Sequence, residues 1–151
     1  MAQIATRIDE GKTVMASQSI APPLSGGIIG SSGDAFVIAE WTDDGGAYDP
    51  PRLIAPLHVH HADDEAWYVL EGILCIQRDD EVVECRAGAG IFVPRGVKHT
   101  YWNPGTEPAR YLLTMTANIY HLIEAIHSMP DRSKEALRAV FREHASELLD
   151  A

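Results

Sequence analysis

His58-Val59-His60-His61-Ala62-Asp63-Asp64-Glu65 is the stretch whose reading decides the fold. Alternate residues of a strand share a face, so His58 and His60 address one point while His61 points away. Glu65 opens an apolar run, Ala66-Trp67-Tyr68-Val69-Leu70, as a returning strand would. A second cluster runs from Gly88 to Asn103 and delivers His99 after the turn Pro94-Arg95-Gly96. Three imidazoles and a carboxylate suit a divalent first-row metal; iron, nickel, manganese and zinc all accept such donors. Four protein donors around an octahedral ion leave positions open, whereas a purely structural site is closed. The expected ligands of one ion per chain are therefore His58, His60, Glu65 and His99. Asp63 and Asp64 read as a solvated turn, and His121, His127 and His144 lie in the tail without site geometry.

Outward from these clusters the chain is a series of short strands. Segments 35–41, 57–61, 65–70, 73–78, 82–86, 90–94, 98–103 and 109–116 are bounded by Gly, Pro and Asp. That rhythm predicts a sandwich or barrel. Pro50, Pro51 and Pro56 should keep their stretch extended and off a central ladder. Gly72, Gly88 and Gly96 sit where strands reverse and positive φ is needed. Residues 1–32 form an N-terminal arm, with a loop at Pro22-Pro23 and Ser25-Gly26-Gly27, and 1–20 as a loose arm or edge strand.

After residue 116 the period changes. Ile119, Leu122, Ile123 and Ile126 fall on one helical face, with Asn118 as a candidate N-cap. Met129-Pro130 ends that helix. A second carries Leu137, Val140, Phe141, His144 and Leu148 on one side. The expected architecture is one domain: a barrel over 33–116 and a C-terminal pair of helices over 117–151, covering one barrel face or meeting a partner subunit.

Composition limits the function classes. The chain has 151 residues, 46% hydrophobic and 23% charged, and a net charge of −10 from 12 basic and 22 acidic residues. That balance opposes nucleic acid and anionic membrane surfaces. The start, Met1 to Glu10, has no apolar core of a signal peptide, and the expected location is the cytoplasm. The two cysteines, Cys75 and Cys85, flank the acidic turn Asp79-Asp80-Glu81. A turn symmetric about Asp80 would set them face to face as half-buried, reduced thiols.

The two clusters together resemble the motifs of the cupin superfamily. The first motif, G(x)5HxH(x)4E(x)6G, is matched by His58, His60, Glu65 and Gly72, with Arg52 in place of its opening glycine. The second, G(x)5PxG(x)2H(x)3N, is matched in full by Gly88, Pro94, Gly96, His99 and Asn103. The resemblance implies an all-β jelly roll, a homodimer, and a small single-domain protein similar to quercetin dioxygenase. Tyr68, Leu70, Ile119, Ile123 and Ile126 would supply the dimer's apolar surface.

The resemblance implies a metal-dependent dioxygenase acting on a small organic substrate, with Glu65 as the catalytic carboxylate. If Glu65 faces inward so do Trp67 and Val69, and if His99 does so do Tyr101 and Asn103. Trp67 and Tyr101 are thus the candidate substrate-pocket residues, with Arg110 and Thr114 on the last strand as further polar candidates. Two alternatives stand beside oxygenase chemistry: an isomerase or decarboxylase using the metal as a Lewis acid, and a non-catalytic module that binds a small ligand.

Overall fold

A computed structural model describes residues 26–31 and 33–149; the expectations for residues 1–20, Pro22-Pro23 and Ser25 lie outside them. The elements are β1 (Ile28–Ile29), β2 (Phe36–Asp43), β3 (Leu53–His60), β4 (Glu65–Glu71), β5 (Ile73–Arg78), β6 (Glu81–Arg86), β7 (Gly90–Val93), β8 (His99–Trp102) and β9 (Ala109–Thr116). Helices α1 (Ala117–Ser128) and α2 (Lys134–Glu143) follow, and β10 (Ser146–Leu148) ends the series.

The strands form two five-stranded antiparallel sheets, in the orders β1-β2-β9-β4-β7 and β10-β3-β8-β5-β6. Their side chains alternate as strand geometry requires. Val37 and Ala39 of β2, Trp67 and Val69 of β4, and Tyr111, Leu113 and Met115 of β9 turn inward. Leu74 and Ile76 of β5 and Tyr101 of β8 meet them from the other sheet, making one apolar core. The result is an all-β jelly roll with two C-terminal helices. Sheet pairing extends past residues 33–116 at both ends, through β1 and β10.

Several expectations change. The β5–β6 turn has two residues, because Arg78 pairs with Glu81, and Asp79 takes a φ of 48°. Cys85 therefore pairs with Leu74, and Cys75 with Glu84. A one-residue slip moves a side chain to the other face, so Cys85 joins the core while Cys75 faces the opposite way. Both are free thiols. Pro56 lies within β3, inside its sheet, but between Ala55 and His58 where the ladder is irregular. A missing N–H costs little at such a bulge.

Helix α1 is capped by Thr116, whose side chain accepts from Ile119 N, rather than by Asn118. Helix α2 ends at Glu143, and Leu148 belongs to β10. Ala145, at φ 52°, makes the reversal. Arg110 and Thr114 alternate with the inward residues of β9 and face away from the core. Arg110 binds the carboxylates of Glu40 and Glu71 there.

Candidate metal centre

His58 and His60 come from the end of β3, Glu65 from the first position of β4, and His99 from the first position of β8. All four are buried, and one ligand atom of each lies within 4.8 Å of the others. His58 Nε2 is 3.1 Å from His60 Nε2, and His99 Nε2 is 2.5 Å from Glu65 Oε1. His60 Nε2 is 3.4 Å from the same carboxylate oxygen. Donors held roughly 2.1 Å from an ion are about 3 Å apart when adjacent and about 4.2 Å when opposed.

The backs of the rings fix which nitrogen faces inward. His58 Nδ1 donates to Pro56 O at 2.6 Å and His99 Nδ1 to Val97 O at 2.9 Å. Ser146 Oγ gives its own hydrogen to His144 O at 3.0 Å, so it accepts from His60 Nδ1 at 2.6 Å. With the Nδ1 hydrogens directed outward, three Nε2 lone pairs and a carboxylate converge. Such a set is repulsive unless a positive charge stands among its members, and a divalent cation meets that need. Burial, with His99 and His60 as neighbouring charges, pushes His58 down to about 3, which keeps it a neutral ligand. Burial alone would raise Glu65, but positive charge among its histidine neighbours, acting through hydrogen bonds and Coulomb attraction when no ion is bound, outweighs it and brings the carboxyl to about 2. The carboxylate is thus held ionised where a cation would take over that role. The donor set thus fits one divalent ion.

Beside it lies a cavity of about 340 Å³. His58, His60 and Glu65 form part of its wall, together with Trp67, Tyr101 and Tyr111. Tyr101 and Tyr111 join hydroxyls at 3.0 Å. Burial, followed by the charge and hydrogen bond of Tyr111, holds Tyr101 protonated well above its ordinary range. Ile119, Leu122, Ile123 and Ile126 of α1 and Phe141 of α2 complete the apolar side. Ile119, Ile123 and Ile126 therefore line the cavity. His127, expected to have no site geometry, also lines it. No Lys or Arg does so among the described residues.

Other candidates settle elsewhere. His61 is exposed and 3.4 Å from Glu147. Asp64 pairs with Arg95 on the surface. Asp63 is buried, not solvated, and accepts from Thr116 Oγ1 and Asn118 Nδ2. Asn103 lies past the end of β8 and holds its own loop through Glu107 O and Gly105 N. Arg52, at the motif's missing glycine, stacks on Tyr48 and pairs with Asp43 at the cavity wall. Sequence reasoning missed Ser146 and Phe141, which carry no motif and reach the site only through the tertiary fold.

Comparison with known proteins agrees with this picture. Residues 47–115 match the Cupin domain family. The matched span holds all four donors. A mannose-1-phosphate guanylyltransferase of Salmonella muenchen is 32% identical over 77 residues, 51% of this chain and 15% of that protein. Polyketide synthase CurC of Streptomyces cyaneus is 34% identical over 59 residues, 39% of this chain and 38% of that protein. The chain thus spans well under two thirds of either relative. Among solved structures, a cupin protein of Bacteroides fragilis overlaps 55% of this chain and 66% of its own, at 19% identity and a TM-score of 0.48. A cupin-2 domain containing protein of Shewanella frigidimarina overlaps 55% of this chain and 72% of its own, at 22% identity and a TM-score of 0.45. Among the described residues no helix is long and apolar enough to cross a membrane.

Proposed function

We propose that the cupin domain is a metal-dependent dioxygenase for a small, uncharged, largely apolar organic molecule, acting in the cytoplasm. One observation carries the reading: a buried cluster of three histidines and a glutamate borders a largely apolar cavity with no Lys or Arg in its described wall. A divalent ion held by His58, His60, Glu65 and His99 would supply Lewis acidity toward the substrate and the redox chemistry of oxygen activation. The chain's own residues do the rest. The isoleucines of α1 and Phe141 exclude water, and Trp67 and Tyr101 shape the space beside the histidines. Glu65 is the carboxylate within reach of a substrate proton.

A polyketide-derived molecule suits such a wall better than a sugar phosphate, which calls for cationic partners. Oxygen uptake by the iron-loaded protein, across phenols, flavonols, diketones and thiols, tests the reading. Uptake with at least one neutral compound and none with sugar phosphates is expected. Equal turnover under nitrogen would replace it with Lewis-acid isomerisation or decarboxylation. Tight binding of a compound that emerges unchanged would replace it with a ligand-binding module.

A further inference from the structure

We propose that Ser146 is a positioning residue that ties the C-terminal segment to His60, so that docking of that segment and ion binding favour each other. The inference rests on the assignment of the four donors as a metal site.

The three histidines are not backed alike. His58 and His99 each lean on a carbonyl two residues earlier in their own chain segment. Those partners come with the local backbone. His60 alone leans on a residue 86 positions away. Ser146 is 3% exposed, and β10 brings it opposite His60 by pairing Ser146 with His60 and Leu148 with His58. His61 N donates to Ala145 O at 2.8 Å and Leu149 N to Leu57 O at 2.9 Å, fastening the segment at both ends.

The hydroxyl is itself aimed. It donates to His144 O, which also accepts from Asn118 Nδ2 at 2.8 Å. Asn118 Nδ2 donates in turn to Asp63 Oδ2 at 2.7 Å, and Asp63 Oδ1 accepts from the α1 cap Thr116. The polar chain therefore runs from the ligand through β10, the end of α2 and the start of α1 to the β3–β4 loop. Phe141 adds an apolar contact from the same segment, its ring 5.5 Å from that of His58. An ion that fixes His60 also fixes the acceptor its Nδ1–H requires, and coupling of that kind is reciprocal.

Zinc, which does not turn over oxygen, is the probe. Chelator competition should show Ser146→Ala binding zinc roughly 10–100-fold more weakly than wild type. Ser146→Thr, which keeps the hydroxyl, should recover most of the loss. Hydrogen exchange on the wild-type protein gives a readout that needs no variant: zinc should slow exchange at the His61 and Leu149 amides. Wild type that binds no zinc would overturn the metal site and this coupling with it. Wild type that binds zinc, with Ser146→Ala of equal affinity or with exchange of those amides indifferent to the ion, would overturn the coupling alone.

Discussion

Replacing Gly72 and Gly88 by alanine separates backbone strain from steric conflict at two turns of the same barrel. Both glycines have positive φ, +76° and +86°. An alanine at either position incurs the left-handed penalty of roughly 1–2 kcal/mol. At Gly88 a Cβ would meet nothing within 4 Å. At Gly72 it would stand 2.4 Å from Pro108 O and 2.9 Å from Ala109 Cα. Those are backbone atoms at the start of β9, which pairs with the Glu65-bearing β4. Relief needs the β4–β5 corner to move off β9, and overpacking of this kind costs about 1–3 kcal/mol more. Gly72→Ala should therefore lose about 3 kcal/mol and Gly88→Ala about 1 kcal/mol. With a urea slope of roughly 1–3 kcal/mol/M, the Gly72 variant should unfold roughly 1 M earlier than the Gly88 variant. Equal midpoints for the two, measured by urea denaturation with zinc removed, would refute the steric part of this reasoning.

Chelation should lower the melting temperature, and zinc at a hundredfold excess over its Kd should restore about 2.7 kcal/mol. His58→Ala and His99→Ala should show no zinc-dependent shift; a wild-type melt unaffected by chelator would contradict the site. Burial raises both cysteine thiols, with the charge of Glu84 adding to the rise at Cys75. A disulfide reagent at pH 8 should thus react slowly with native protein and reveal both thiols on denaturation; rapid native labelling or no free thiol would count against it. We also propose a homodimer through the outer face of the β1-β2-β9-β4-β7 sheet, where Phe36, Tyr68 and Phe92 are 59%, 47% and 54% exposed. Light scattering at micromolar concentration should give twice the chain mass, Tyr68→Glu should weaken the association, and a monomeric wild type would end the proposal.

The donors were legible because strand alternation converts sequence spacing directly into direction. His58 and His60 share a face whatever the rest of the chain does, and the same rule places Trp67 with Glu65 and Tyr101 with His99. Register was less legible. It depends on the number of residues in a turn, and Asp79-Asp80-Glu81 reads as easily for three as for the observed two. The tail was least legible. Ala145 fills a left-handed position where glycine usually marks a helix end, so nothing in the composition stops the helix before Ser146. Amphipathy located the apolar face of α1 but not what it faces. Ile119, Ile123 and Ile126 would look the same against a partner, a sheet or a cavity.

The cavity wall constrains the ligand more directly than it constrains the reaction. Transfer of an anion into an apolar space costs several kcal/mol unless new partners replace its water. Besides its aliphatic and aromatic surface, the polar side chains of the described wall are acidic, hydroxyl, indole and imidazole groups, and the charge of Asp43 is met by Arg52. An ion held by His58, His60, Glu65 and His99 would then be the strongest electrophile such a ligand could reach. A neutral molecule could direct one oxygen toward the four donors and leave its apolar remainder against α1 and Phe141. A carboxylate or phosphate could also reach the ion, but its remaining charged oxygens would lie beside Glu65 and isoleucine. This discrimination holds for oxidation and for isomerisation alike. Zinc-loaded protein should therefore bind 4-ethylphenol more tightly than 4-hydroxybenzoate, two ligands of similar shape and different charge. A preference for the benzoate, measured by calorimetry at neutral pH, would show that the wall does not set the ligand class.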